Sequence, residues 1–399
     1  MDRIVARFPA LGHEIYGKRL AYMDSAASAQ KPQSVLDAMM GVLAGPYANI
    51  HRGLYYNSAE TTSAFEAARE RMARFLNADP RGLVAVRNAT EGVNLVAQTW
   101  GRHNLTAKDV VVVSELEHHA NLVPWQLLQG DIGFEIRVIP LEALLDGAAA
   151  VAPYLTGAKL LALTQMSNVS GLRPDLAGII PLAKAAGCTV LVDGAQGVVH
   201  HKQDLSTLGA DFYVMTGHKL YGPNGIGLLW GWPDLLETMP PYQGGGDMIE
   251  SVVLPTGTTF AGVPARFEAG TPAIAELVGL AAAADFMEEL GWDAVEAHEA
   301  ELAAKLTEMM KDLGFAEIYS PDNTGIVAFN VVGAHAADVA TLLDQQGVAV
   351  RSGHHCAMPY MTALGIEGCL RASLGVYSCE EDIVQLDAAL KKAFEMLVG

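Results

Sequence analysis

The sequence predicts an α/β fold: a mostly parallel seven-stranded sheet covered by helices, with a smaller α+β domain towards the C-terminus. Three observations carry this. From Leu83 onward, short apolar runs alternate with stretches of helical periodicity. The runs are continuously apolar rather than alternating with polar residues, so both sheet faces are expected to be covered. With 51% hydrophobic and 18% charged residues among 399, there is material for a substantial core.

In chain order, residues up to about Lys18 read as a leading arm or helix. Leu20–Asp24 is a short strand entering the small-residue loop Ser25–Ala29, and a helix begins near Pro32, proline being suited to a first turn. A loop holds Asn49–Gly53. Ser58–Asn77 is an amphipathic helix, with Ser58 placed to cap it and Phe65, Ala68, Met72, Phe75 and Leu76 on one stripe. Sheet strands are expected at Leu83–Val86, Val110–Val113, Glu135–Ile139, Leu160–Leu163, Thr189–Val192, Phe212–Met215 and Ile226–Trp230. Helical patterns lie between them at Glu91–Trp100, Leu122–Leu128, Glu142–Tyr154 and Leu176–Ala186. After Pro240 the composition changes to loop or hairpin material. Helices follow at Ala273–Leu290 and Ala294–Leu313, then strands Ile326–Val331 and Val348–Val350 around a helix near Ala336–Gln346, and a last helix from Glu380 to Leu397.

Composition excludes several classes of function. With 26 basic against 45 acidic side chains, a net charge of −19, there is no basic stripe for nucleic acid. No apolar run approaches the ~18 residues of a membrane span, and the N-terminus lacks the pattern of a signal peptide. The four cysteines, Cys188, Cys356, Cys369 and Cys379, show no CxxC spacing, which points to reducing cytoplasm and no disulfides.

Five places break the structural pattern, four of them where strands should end, the edge at which open parallel sheets bind ligands. Arg87–Gly92 opens a helix, where free N–H groups suit either an anion or ordinary capping by Asn88 or Thr90. Glu117–Asn121 carries the pair His118-His119. Adjacent side chains in extended chain diverge, so a metal site is poorly served there, whereas an imidazole stacked on a flat cofactor and a structural histidine both remain open. Asp193 ends an apolar strand and suits a protonated pyridine nitrogen, a helix cap or a metal, the last disfavoured by the lack of further carboxylates nearby. Lys219, in Thr216–Pro223, lies one strand later. Alone it also fits a surface loop, but an aspartate and a lysine ending consecutive strands are what one flat cofactor touching both requires. The fifth place, Arg351–Pro359, holds Cys356 beside a histidine pair, where positive charge would favour the thiolate. Nearby Arg371, inside an otherwise apolar strand, needs an anion: a substrate carboxylate or an internal Asp or Glu.

These motifs make the chain resemble, nearly end to end, a pyridoxal phosphate (PLP)-dependent cysteine desulfurase of the class V aminotransferase group, in its type II, SufS-like branch. The stretches that carry the resemblance are Leu20–Pro32, Arg87–Asn94, Glu117–Trp125, Ser167–Gly171, Asp193–Gln196, Gly217–Pro223, Arg266–Pro272 and Arg351–Pro359. The resemblance implies PLP fold-type I and a homodimer, with a large cofactor-binding domain over 19–268 and a small domain of 1–18 and 269–399 carrying the cysteine loop. It implies that Lys219 binds the cofactor as a Schiff base and shuttles protons, that Asp193 pairs with the pyridine nitrogen and Gln196 with the phenolic oxygen, and that His118 stacks on the ring. Thr90, Thr216 and His218 would hold the phosphate, with Glu91 nearby and Gly270 and Thr271 reaching in from a second subunit. Ala27, His51, Asn168, Arg351 and Arg371 would bind or orient the substrate, and Cys356 would be the nucleophile. Two departures from the pattern are threonine rather than serine at Thr216, and Met166–Gly171 beside Asn168.

The implied reaction converts L-cysteine to L-alanine and leaves the sulfur on Cys356 as a persulfide for iron-sulfur cluster assembly. The implied partners are a SufE-like or SufU-like sulfur acceptor and a cluster scaffold. Selenocysteine lyase activity on L-selenocysteine is the alternative reaction, and a non-enzymatic scaffold for sulfur-transfer partners is the alternative of another class.

Overall fold

The computed structural model describes residues 2–399; Met1, the start of the expected leading arm, lies outside them. The chain forms two compact units: one of 34–165 and 174–286, the other of residues up to Gln33, 166–173 and 287–399. Residues 19–33 and 166–173 thus belong with the C-terminal unit and 269–286 with the sheet unit.

The first unit is built on seven strands: β1 Leu83–Val86, β2 Val110–Ser114, β3 Glu135–Ile139, β4 Leu160–Thr164, β5 Thr189–Asp193, β6 Phe212–Thr216 and β7 Gly227–Gly231. Their order across the sheet is β1-β7-β6-β5-β4-β2-β3. Only β7 runs against its neighbours, pairing antiparallel with β1 and β6. The carboxyl ends of the other six therefore lie along one edge. Strands β2, β4, β6 and β7 are buried along their whole length, as their unbroken apolar runs require. One sheet face packs Val111, Val113, Leu160, Leu191 and Val214 against Val93, Val96, Trp100 and Trp125.

The second unit has the antiparallel sheet β8 Ala316–Ile318, β9 Ile326–Val331, β10 Arg351–Gly353 and β11 Cys369–Ser373, in the order β8-β9-β11-β10. The long helices Trp292–Asp312 and Glu380–Leu397 cover it through Leu302, Leu306, Leu386 and Leu390. The expected strand from Val348 divides in two. Val348–Ala349 pairs in parallel with Ala21–Tyr22, and Arg351–Gly353 joins the antiparallel sheet.

Two helix expectations are corrected. The helix expected from Ser58 spans Tyr56–Leu76 and has no side-chain N-cap. Ser58 is buried within it and donates its hydroxyl to Asn49 O at 2.8 Å, so its polar group tethers the preceding loop instead. The pattern Glu142–Tyr154 is two helices, Leu141–Leu145 and Ala148–Leu155, because Gly147 takes φ 89° between them. Among the described residues no helix is long and apolar enough to cross a membrane.

Gly227 lies at the point where β7 passes between β1 and β6, paired with Val86 and Thr216. A Cβ there would sit 2.6 Å from Met215 O and 2.8 Å from Asn88 Cα, both of them backbone atoms that cannot swing aside. Gly227→Ala is expected to lower unfolding stability by about 1–3 kcal/mol through overpacking, read from the urea midpoint.

Candidate active site

Asp193 is the last residue of β5, opposite Thr164 of β4 and Val214 of β6. Only 4% of it is exposed. Its Oδ1 accepts the Ala195 N–H at 3.0 Å. Burial pushes its carboxyl above the usual carboxylate range, against the pull of that N–H and of the Lys219 charge. The turn that carries it needs Gly194, since a Cβ there would run into the Tyr213 ring. Tyr213 in turn donates its hydroxyl to Gln165 Oε1 at 2.8 Å, behind the strand end. Gln196 follows, buried, at the start of the short helix Gly197–His200.

One strand over, Thr216 ends β6. Its Oγ1 is buried and has no hydrogen-bond partner. His218 and Lys219 follow, half-buried, in a turn closed by the Gly222 N–H on Gly217 O at 3.0 Å. Beyond β2, His118 accepts the Ala120 N–H on Nδ1 at 3.0 Å, capping the one-turn helix His119–Asn121; in the neutral imidazole the proton is then on Nε2. Glu117, beside it, is fully buried. Beyond β1, Asn88 caps the helix Ala89–Val96 through Oδ1 on the Glu91 N–H. Thr90 is exposed in its first turn, and Glu91 Oε2 accepts the Arg87 N–H.

Gly270 and Thr271 line a cavity of about 300 Å³ together with Arg87, Glu91 and Tyr242. The segment is held there by Glu268, whose side chain is 6% exposed and accepts the Ala85 N–H at 2.6 Å and hydrogen bonds from both terminal nitrogens of Arg69 at 2.7 and 2.9 Å. His51 stands with a different set. Its ring nitrogens face Asp247 Oδ2 at 3.3 Å and Glu66 Oε1 at 3.0 Å, on backbone at φ 69°.

The remaining predicted residues belong to the other unit. Arg371, 2% exposed, donates from Nη1 to Asn168 O at 2.7 Å and from Nη2 to Asp24 Oδ1 at 2.8 Å; its Nε is buried without a hydrogen-bond partner. Arg351 donates to the same Asp24 at 3.1 Å. Asp24, which sequence reasoning did not single out, is thus the internal acid that Arg371 requires; a lone acid in the small-residue stretch Met23–Ala27 was the available signal. Asn168 donates Nδ2 to His355 O at 2.7 Å and so ties the guanidinium to the cysteine loop. Ala27 follows Asp24 in the same loop, its N–H donated to Asp24 O.

Cys356 is exposed. It and His355 both take left-handed backbone, φ 56° and 51°, an uncommon pair for residues with side chains. His355 Nε2 donates to Cys369 O at 3.0 Å, and burial, with Arg371 and Arg351 near, pulls its pKa down to about 3. His355 therefore keeps the one ring proton it donates to Cys369 O, and burial beside the guanidiniums disfavours a second. The other three cysteines are buried, and burial raises their thiols.

The residues at the sheet edge fit PLP. A pyridinium needs a carboxylate sheltered from water, which Asp193 provides. A phosphate needs hydroxyl donors, and the orphaned Thr216 Oγ1 is one. Among the described residues no group of three His, Cys, Asp or Glu gathers to hold a metal ion.

The family model described as Aminotransferase class-V matches residues 21–386. A cysteine desulfurase of Yersinia pestis (strain Pestoides F) is 46% identical over 403 residues, covering 100% of this chain and 99% of its own. The crystal structure of the cysteine desulfurase CsdA (S-sulfonic acid) from Escherichia coli superposes with a TM-score of 0.92 at 39% identity, covering 99% of this chain and 98% of its own. The apo structure of a cysteine desulfurase from Thermococcus onnurineus NA1 gives 0.91 at 34% identity, covering 98% and 99%.

Glu117 gives a pH signature. Burial pushes its carboxyl up from 4.5 to about 8, more strongly than its hydrogen bonds to Ser114, Asn121 and Thr164 pull it down. Between those values the native state keeps a proton that the unfolded chain has released, so this contribution to stability is full at low pH and is lost as pH rises. Glu117→Gln has no proton to lose. Urea midpoints measured from pH 5 to 8 are expected to fall for the wild type relative to the variant.

Proposed function

The chain belongs to the class-V aminotransferase family, and from that membership we propose that it is a PLP-dependent cysteine desulfurase, converting L-cysteine to L-alanine with sulfur passed to Cys356. The observation that carries the reading is the buried carboxyl of Asp193 at the end of β5 under the charge of Lys219, just past the end of β6. Full-length similarity to cysteine desulfurases supports the choice of reaction within the family.

When bound, PLP supplies the electron sink for the pair left at the substrate Cα as its proton departs. Lys219 Nζ would hold the cofactor aldehyde carbon at rest and, freed when the substrate amine takes its place, would accept that proton and return it. Asp193 keeps the pyridine nitrogen protonated, Gln196 donates to the phenolic oxygen, and the His118 ring covers one face. Thr216, Thr90 and His218 bind phosphate, with Glu91 supporting the helix start through Arg87. Arg371 and Arg351 attract the substrate carboxylate, Asn168 holds Arg371 to the cysteine loop, and Ala27 and His51 border the substrate. Cys356 Sγ, as thiolate, attacks the substrate sulfur: the S–S bond forms, the C–S bond breaks, and the electron pair stays on the substrate carbon, which is then protonated to alanine.

In this reading the protein is a cytoplasmic homodimer whose partner copy lends Gly270 and Thr271. Its persulfide passes to a SufE-like or SufU-like acceptor for iron-sulfur cluster assembly.

Lys219→Ala is expected to abolish the visible absorbance of bound cofactor and all turnover. Cys356→Ala is expected to keep the absorbance and lose the persulfide, read by intact-protein mass spectrometry after addition of cysteine. Full cysteine turnover by Cys356→Ala would overturn the assignment of the nucleophile. Thr216→Val removes one hydrogen bond to a charged group, so PLP affinity should weaken about 10- to 100-fold, measured by titrating the cofactor-free protein.

A further inference from the structure

Glu117 has no task in that reaction, yet it is a fully buried carboxyl tied to three separate segments. Its Oε1 accepts the hydroxyl of Ser114, the last residue of β2, at 2.6 Å and the N–H of Thr164, the last residue of β4, at 3.0 Å. Its Oε2 accepts Asn121 Nδ2 at 2.7 Å, four residues on, across the turn that carries His118. Within that turn the Asn121 N–H donates to His118 O at 2.8 Å and the Ala120 N–H to His118 Nδ1 at 3.0 Å. The ring plane of His118 is therefore set by the turn. The turn is set by Asn121 at one end and by the strand at the other, and Glu117 joins the two.

We propose that Glu117 is a positioning residue that orients the His118 imidazole towards the cofactor by clamping the ends of β2 and β4 to the turn His119–Asn121. The proposal rests on the reading above, in which His118 covers the cofactor ring. A second tie runs the same way. Thr164, held by Glu117, is the register partner of Asp193, so one carboxyl anchors the strand end beside the pyridine-binding acid as well as the turn that bears the ring. Asp193 is the charged group that acts on Glu117. Their repulsion favours a protonated Glu117 when Asp193 is ionised to serve the cofactor. Asn121 Oδ1 is buried without a hydrogen-bond partner. When the Asn121 amide turns over, that oxygen accepts the Glu117 proton and the clamp survives. Glutamine meets the same need with its own N–H, whereas alanine leaves three buried donors unpaired.

The test uses the PLP-loaded protein as Glu117→Gln and Glu117→Ala, each with and without His118→Ala, read by visible circular dichroism of the bound cofactor and by kcat and KM for cysteine. Glu117→Ala is expected to change the dichroism and to lower kcat on the order of 10- to 100-fold with KM nearly unchanged, as misorientation near the chemistry does. Glu117→Gln should restore the dichroism. In the His118→Ala background, Glu117→Ala should add much less change than it does with His118 present, since only the tie to Thr164 is then left to lose. An unchanged dichroism in Glu117→Ala, or an equal change with and without His118, overturns the proposal. Should Glu117→Ala fail to fold, Asn121→Ala cuts the turn side of the clamp alone, and the same outcomes decide. In parallel, histidine-labelled protein without cofactor is compared by NMR, the His118 ring signal being the one lost in His118→Ala. A shift of that signal in Glu117→Ala supports the clamp and coincidence with wild type overturns it, whether or not PLP binds. Absence of any visible band in wild type with PLP instead sinks the cofactor reading.

Discussion

The structure depends most on keeping one carboxyl, that of Asp193, out of water at the end of a strand. An isolated buried carboxylate is costly, and it either finds a cation or takes up a proton. Here it has one backbone N–H, the charge of Lys219 from just beyond the neighbouring strand, and no room to move. Gly194 lets the chain turn tightly over the Tyr213 ring, and the Tyr213 hydroxyl is locked to Gln165. The surrounding apolar strands exclude the water that would otherwise satisfy the acid. A ring nitrogen carrying a proton is the partner such an acid lacks. That is the physical link between a parallel α/β sheet and chemistry needing an electron sink.

The other unit solves the opposite problem, two cations around one acid. Arg371 and Arg351 both reach Asp24, which leaves a positive balance and a buried Nε with no partner. Such a cluster attracts one further carboxylate. Burial first, and then this cluster, keep His355 neutral, and its ring serves as an anchor on Cys369 O. With His355 anchored and Asn168 holding the His355 carbonyl, the left-handed backbone at His355 and Cys356 is held in place. Each such residue costs on the order of 1–3 kcal/mol, a price tolerated where it displays a reactive side chain.

Much of the fold was legible because burial on both faces writes itself as unbroken apolar runs. Six of the seven large-sheet strands lie where such runs are; the edge strand β3, Glu135–Ile139, carries Glu135 and Arg137 and buries only Ile139. The reversal of β7 was not legible, since direction is decided by hydrogen-bond partners far along the chain. Local propensity failed where a tertiary contact competed with it. Ser58 reads as a cap but is drawn to Asn49 O, and the pattern Glu142–Tyr154 hides the turn at Gly147. In the candidate site, Asp193 and Lys219 announce themselves as charged residues closing apolar runs. Asp24 does not, because its partners lie 327 and 347 residues away.

By itself, the sequence determined which side chains with chemistry to offer stand at strand ends, and which motifs ally the chain with PLP enzymes handling sulfur. Those are properties of residue type and spacing, and they survive without coordinates. Only the tertiary structure decided the charge states and the anchoring: a neutral His355, an Asp24 shared by two arginines, an unpartnered Thr216 hydroxyl, and a Glu117 pushed up to about 8 while holding three segments together. Desolvation and pairing set these, and both depend on what packs around a group rather than on what precedes it in the chain.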